Sequence, residues 1–393
     1  MSRFKQVILL ILVVIIGAGI YLYFRPWPAP MPITQTPKPP KTTAIQLPWP
    51  SGGQAAIGAT GYGLLASNGP ADPKPIASIA KIITALAILQ KKPLTGGGQG
   101  PTITLDTTDV GYYDYYLSHD GSVAQVTDGE QITEYQALEA MLIPSANNVA
   151  DSMVRWAFGS TDNYLTYANQ MVKEMGLSHT TVAGASGFAD TTTSTAADLV
   201  QLGIAALNNP SITQIVSLSS ADLPVAGTVN NVNWLLGSDG VVGIKTGNTD
   251  VAGGCFLFGA KHQVAGQTIT IVGAILGQPQ LNDAISAAQP LLGAVDSGFT
   301  KLTVIHKGQS LGYYATAWGA TARAQAAEDL SLTVWKGQDT KVVNSIDSIN
   351  APAKAGSKAG TVVVQSGKQI ATSPLNLSSN LSGPSWHWRL IRH

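Results

Sequence analysis

The chain has 393 residues, of which 45% are apolar and 12% charged, with 23 Lys and Arg against 23 Asp and Glu. This length suits two domains with accessory segments, and the apolar share is enough for a large core. A neutral chain without a basic cluster argues against a nucleic-acid partner, because phosphate binding needs concentrated Lys and Arg.

Residues 7–24 form an uncharged, apolar run, at the short end of the roughly 20 residues that a transmembrane helix needs. Arg3 and Lys5 precede it and place residues 1–6 in the cytoplasm, although Arg25 follows directly and weakens the asymmetry. Tyr21, Tyr23 and Trp27 fit an aromatic belt at the outer interface. The expectation is a single-pass anchor in the cell membrane, with the rest of the chain extracytoplasmic. The rival is a signal peptide cleaved at Gly17-Ala18-Gly19, against which the continued hydrophobicity of residues 20–24 counts. Either way the remainder is exported. Residues 25–50 are proline-rich and predict an extended, semi-rigid linker that holds a folded domain off the membrane.

Residues 51–299 read as one mixed domain of helices and strands. Short strands are predicted at 55–59 and 63–67. Residues 76–90 form a helix that is apolar on nearly every side, with Ile79, Ile82, Ile83, Leu86, Ile88 and Leu89, and is therefore central and buried. Thr133-Glu134-Tyr135-Gln136 is a capping-box pattern opening a second helix, which Pro144 should end near Ile143. Further helices are predicted at 148–158 and 162–175. Strands follow at 241–245, 255–260 and 268–276, the last two joined as a hairpin around Ala265-Gly266. The only cysteine, Cys255, falls in an apolar strand and reads as a structural core residue. The six histidines are scattered without metal-ligand spacing, so neither a metal nor a cofactor is expected. From residue 300 to 393 the pattern becomes short alternating runs, such as Leu330, Leu332 and Val334, separated by Gly and Pro turns. This predicts a small all-β domain, with Trp386, Trp388 and Leu390 on a final half-buried strand.

Three short motifs occur in order: Ser78-Ile79-Ala80-Lys81, Ser145-Ala146-Asn147 and Lys245-Thr246-Gly247. Each is weak alone. Ser2 and Lys5 have the spacing of the first, and Ser348-Ile349-Asn350 and Ser378-Ser379-Asn380 fit the second. The signal is the ordered trio, each member in a fitting place. Residues three apart on a helix are neighbours, so the Lys81 amine can reach the Ser78 hydroxyl. A serine hydroxyl is a poor nucleophile until a base takes its proton, and a lysine serves only if burial or a nearby cation lowers its pKa. Lys245 can supply that cation. Elsewhere a Ser/Lys pair at this spacing merely faces solvent; here Ile79, Ile82 and Ile83 crowd the lysine. Ser145 can relay a proton to a leaving group and Asn147 can bond a substrate amide, although both residue types also suit a helix N-cap. Lys245-Thr246-Gly247 closes a strand whose edge can pair with an extended peptide. Lys245 and Thr246 can bind a carboxylate there, and Gly247 lets the backbone approach.

With these motifs the chain resembles the D-alanyl-D-alanine carboxypeptidases, the low-molecular-mass penicillin-binding proteins. The likeness runs through Ala185-Ser186-Gly187-Phe188, Ser194-Thr195-Ala196-Ala197-Asp198-Leu199, Asn233-Trp234-Leu235-Leu236 and Gly243-Ile244-Lys245-Thr246-Gly247-Asn248-Thr249. It continues into Ala351-Pro352 and Pro374-Leu375, covering about residues 54 to 390. The resemblance implies an α+β, penicillin-binding/β-lactamase-like transpeptidase fold: an antiparallel sheet flanked by helices plus a helical subdomain, followed by a small all-β C-terminal domain. It also implies that residues 51–299 are a serine DD-peptidase domain that removes the terminal D-alanine from peptidoglycan stem pentapeptides through a Ser78 acyl-enzyme. Lys81 accepts the proton, the backbone N–H groups of Ser78 and Asn248 form the oxyanion hole, and Lys245 and Thr246 hold the substrate's terminal carboxylate. β-Lactam antibiotics are implied as inhibitors that acylate Ser78.

Ala80 stands where the family commonly has threonine, and the anchor is N-terminal where the family often uses a C-terminal amphipathic helix. Two other readings compete: a class A-like β-lactamase, for which Glu174 offers a candidate water-activating carboxylate, and a catalytically silent wall-binding scaffold. Endopeptidase or transpeptidase chemistry on the same acyl-enzyme stays open.

Overall fold

A computed structural model describes residues 3–94 and 98–392; Ser2 and His393 lie outside the described residues. The chain divides into two units, one spanning Ala44–Phe299 and the other joining Met1–Thr43 to Thr300–His393.

The first unit is built on a five-stranded antiparallel sheet, in the order Val241–Thr249, Gly253–Val264, Gln267–Gln278, Gln54–Ala59 and Gly63–Asn68. The predicted hairpin turns through Ala265 and Gly266, both at positive φ, as a two-residue turn requires. Phe256, Phe258, Ile271, Val272, Ala274 and Ile275 are fully buried, so consecutive residues of these strands are covered on both faces. The helix Ala196–Leu207 packs on four of the strands, and the helix Leu281–Ser286 packs on three. Cys255 is fully buried and its thiol is pushed up to about 11 by burial, which fits a structural residue.

Beside the sheet lies a helical subdomain. The helices Glu134–Leu142, Asn147–Phe158 and Thr161–Glu174 surround Ala80–Lys91, and Thr107–Ser118 packs on Asn147–Phe158. The central helix is buried without a break from Ala80 to Leu89, in keeping with its apolar faces. It begins later than expected. Residues Ala77–Ile79 form a 3-10 turn ahead of it, because Ala77 has φ +45°, which a right-handed helix cannot hold. The capping box of Thr133 and Gln136 is present, and that helix stops at Leu142, before Pro144.

The strand containing Lys245 also differs from expectation. It continues to Thr249, so Lys245, Thr246 and Gly247 lie inside it rather than at its end, and it is the edge strand of the sheet. Its backbone pairs with Gly253–Val264 throughout, with Gly247 opposite Cys255.

The second unit carries a helix at each end and between them a β structure with one six-stranded sheet, in the order Met31–Thr34, Ser310–Ala315, Thr321–Ala326, Gln369–Leu377, Lys358–Ser366 and Thr340–Ile346. Its core gathers Ile305, Leu311, Tyr314, Val362, Val364 and Leu375. Part of the proline-rich stretch is thus a strand. Met31 to Thr34 pair antiparallel with Ala315 to Gly312. An edge strand tolerates Pro32, whose missing N–H faces away from the ladder. Asn344 fastens the strand, accepting from Thr36 Oγ1 at 2.7 Å and donating to the Leu311 carbonyl at 2.7 Å.

The final strand expected through Trp386, Trp388 and Leu390 is instead a helix, Trp386–Ile391. Ser385 caps it, its hydroxyl accepting the Trp388 N–H, and Trp388 packs edge-on against Trp318 at 5.5 Å. A run this short carries both periodicities, and the cap decides between them. At the other end Arg3–Phe24 is one helix, with mean hydropathy 2.9 and no buried residue. It is long and apolar enough to cross a membrane, and a signal sequence has the same character.

Candidate active site

Ser78 sits in the 3-10 turn that enters the central helix, and Lys81 follows one turn later on the same face. Lys81 Nζ lies 2.9 Å from Ser78 Oγ, 2.6 Å from Asn147 Oδ1 and 2.8 Å from the Ser186 carbonyl oxygen. The lysine is 0% exposed. Burial holds its pKa well below the ordinary value, the charge of Lys245 lowers it further, and Asp151 partly opposes them. Asn147 Oδ1 and the Ser186 carbonyl can only accept. A neutral Lys81 amine therefore gives its two N–H groups to them and turns its lone pair to the Ser78 hydroxyl. This is the arrangement a general base needs before the reaction starts.

Asn147 is the first residue of its helix, and the link from Pro144 aims it at Lys81. Within that link Ser145 has φ +69°, a strained conformation for a residue with a side chain. Its hydroxyl is buried and has no hydrogen-bond partner among the described residues. A buried polar group left open in this way is available to a ligand or to a proton in transit.

The edge strand closes the site. A Cβ added at Gly247 would lie 3.0 Å from both Ser78 N and the Ile76 carbonyl, so a side chain there would press on the backbone of the nucleophile turn. Asn248 follows directly. Ser78, Asn147, Phe188 and Asn248 line one cleft of about 480 Å³, with the carboxylates of Asp120 and Asp190 at its wall. Thr249 donates to Asp190 at 3.3 Å, joining the strand to the loop that carries Gly187 and Phe188.

Lys245 and Thr246 are 3% and 4% exposed and stand behind the cleft surface. Lys245 Nζ donates to the Thr246 carbonyl at 3.1 Å, and burial pushes its pKa down to about 7. Glu174 lies apart. It is exposed at the end of its helix, where it accepts from Gln170 at 2.7 Å, and it does not line the cleft.

The structure thus brings Ser78, Lys81, Asn147, Gly247 and Asn248 into one place and sets Lys245 close enough to act on Lys81. It adds three residues that the motifs do not name: Tyr116, Asp151 and Ser186. Ser186 holds Lys81 through its carbonyl. Asp151 lies one turn after Asn147, a spacing that places the two on one helix face, and this was the available signal for it. Tyr116 carried no local signal, because it reaches the others only through the fold.

A family model described as D-alanyl-D-alanine carboxypeptidase matches residues 54–276, and one described as penicillin-binding protein 5, C-terminal domain, matches residues 299–382. The chain is 24% identical over 314 residues to D-alanyl-D-alanine carboxypeptidase DacF of Bacillus subtilis, covering 76% of this chain and 77% of that protein. It is 27% identical over 275 residues to D-alanyl-D-alanine carboxypeptidase DacA of Escherichia coli, covering 67% of each. The fold is similar to that of penicillin-binding protein 5 from Haemophilus influenzae, with a TM-score of 0.60 at 18% identity, over 88% of this chain and 100% of that one.

Proposed function

Since the chain belongs to the D-alanyl-D-alanine carboxypeptidase family, we propose that Ser78 is its nucleophile and Lys81 the base that activates it. The activity is that of a serine-type D-Ala-D-Ala carboxypeptidase. Ser78 Oγ passes its proton to Lys81 Nζ and attacks the carbonyl carbon between two D-alanines at the end of a peptidoglycan stem pentapeptide. The carbonyl oxygen becomes an oxyanion facing the backbone N–H groups of Ser78 and Asn248. The C–N bond breaks, and the departing D-alanine nitrogen takes a proton from Lys81, relayed by the Ser145 hydroxyl. Water then opens the Ser78 ester and restores the hydroxyl. Asn147 keeps one end on Lys81 and offers its amide to the peptide. Lys245 and Thr246 receive the terminal carboxylate, and β-lactams acylate the same oxygen.

The observation that carries this reading is the buried Lys81 amine, 2.9 Å from Ser78 Oγ and held by two acceptors. The position of Glu174 gives no support to a β-lactamase reading. The test is incubation of the protein with a pentapeptide stem, following free D-alanine. Wild type should release it and Ser78→Ala should not; release by Ser78→Ala would reject the nucleophile.

The helix Arg3–Phe24 is read as a membrane anchor, with the chain that follows it outside the cytoplasm. Residues 25–30 then span at most about 22 Å at extended-chain length, so the strand Met31–Thr34 stands close to the bilayer. Expressed in cells, the full chain should stay in the membrane pellet after a carbonate wash. Recovery in soluble form, shortened at its N-terminus, would favour a cleaved signal instead.

A further inference from the structure

Behind Lys81 a second tier of polar groups runs across two helices and a loop. Asp151 stands one turn below Asn147 and is half-buried. The Tyr116 hydroxyl, on Thr107–Ser118, donates to Asp151 Oδ2 at 2.7 Å. The Tyr116 oxygen also lies 3.3 Å from Ser186 Oγ. Its own proton is committed to Asp151, so the Ser186 hydroxyl is the donor in that second contact. Ser186 Oγ in turn accepts the Phe188 N–H at 3.3 Å, and the Phe188 ring meets Tyr116 edge-on at 5.2 Å. Asp151, Tyr116 and Ser186 are therefore joined in a chain whose far end is the carbonyl that holds Lys81.

We propose that Asp151 is a positioning residue for acylation, acting on Lys81 both as a counter-charge and, through Tyr116, as the brace of the Ser186 loop. The inference rests on the assignment of Lys81 as the base. Asp151 works against Lys245: its negative charge favours the protonated amine, and the charge of Lys245 disfavours it. Between them they set the pH at which Lys81 is free to accept a proton. The groups facing Asp151 support this. Lys81 and the Tyr116 hydroxyl both favour its ionised form, against the desolvation that disfavours it. Tyr112, Tyr116 and Tyr164, from two packed helices, are each held more firmly protonated by its charge. Glu134 and Glu139, on the fourth helix packed against it, do not act on it. Arg155, one turn further on its own helix, is taken by Asp106 and Asp109 at 3.0 and 2.5 Å.

The test uses Asp151→Asn in the full chain, which keeps the shape and an acceptor oxygen for Tyr116 but removes the charge. The pH profile of kcat/KM for D-alanine release, and of the rate of β-lactam acylation, has an acid limb where Lys81 loses its proton. Without the charge that favours protonated Lys81, this limb should move to lower pH. A merely structural role would lower the rate at every pH and leave the limb in place, and that result, or a shift to higher pH, would overturn the proposal. Tyr116→Phe removes the brace but not the charge. It should lower kcat about tenfold with the limb unmoved, and full activity would remove the brace from the inference. Lys81→Met separates this test from the reading beneath it: rapid acylation of that variant would reject Lys81 as base, whatever Asp151→Asn shows.

Discussion

Replacing Lys81 by methionine should lower kcat/KM for D-alanine release by about 10²–10⁴-fold, the usual contribution of a positioned general base. Methionine fills the buried volume that lysine occupies, so no cavity is opened in the central helix. It also removes a polar group that burial penalises. The variant should stay folded while being almost inactive, because the relief of the lysine's desolvation offsets the cost of leaving the Asn147 and Ser186 oxygens unpaired. Lys81→Arg sharpens the point. Arginine keeps the positive charge but does not give up its proton at working pH, so it cannot serve as a base. If Lys81 acted only as a fixed charge near Ser78, the arginine variant would retain much of the rate. Both variants should therefore fail to form the covalent β-lactam adduct, read as a mass increase on the intact protein. Adduct formation by Lys81→Arg at near the wild-type rate would discard the proton-transfer role.

The features legible from the residues are those in which local pattern and tertiary placement agree. The central helix shows its burial because Ile79, Ile82, Ile83 and Leu86 leave no solvent face for Lys81, and the structure buries it throughout. Ala265-Gly266 shows the hairpin because two positive φ angles in succession need such residues. What stays hidden depends on partners distant in sequence. Met31 to Thr34 form a strand only because Ser310–Ala315 offers an edge. Trp386–Ile391 alternates like a strand and becomes a helix because Ser385 caps it and Trp388 finds Trp318. The end of the Lys245 strand was placed too early because the ladder with Gly253–Val264 carries it on to Thr249. At the site the motifs indicate which residues carry chemistry but not what holds them. The Ser186 carbonyl, the Tyr116 hydroxyl and the Asp151 carboxylate come from three segments, and no spacing brings them together.

Gly187→Ala should lower kcat/KM by about 10²-fold or more, although the substitution adds one methyl group and touches no reacting atom. Gly187 has φ +71°, where a side chain costs roughly 1–2 kcal/mol. The larger effect is steric. A Cβ there would come within 1.9 Å of the Ala77 carbonyl oxygen and 2.8 Å of Ala80 Cβ, and the first is backbone that no rotamer change can clear. Either the Ser186–Gly187 loop or the Ala77–Ser78 turn must move. If the loop moves, the Ser186 carbonyl leaves Lys81 Nζ; if the turn moves, Ser78 Oγ leaves it. Both break the contact on which proton transfer depends, and a displacement of about 1 Å at a reacting pair can cost 10²-fold. Gly184→Ala is the matching control in the same segment. Nothing lies within 4 Å of its added Cβ, and it should stay within a few-fold of wild type. Acylation rates and melting curves for the two variants separate the outcomes. Loss of rate with a modest fall in melting temperature places the damage at the Ser78–Lys81 pair. Equal rates in both variants would mean that the turn relaxes freely, and the left-handed Ala77 would then not be what fixes the nucleophile in place.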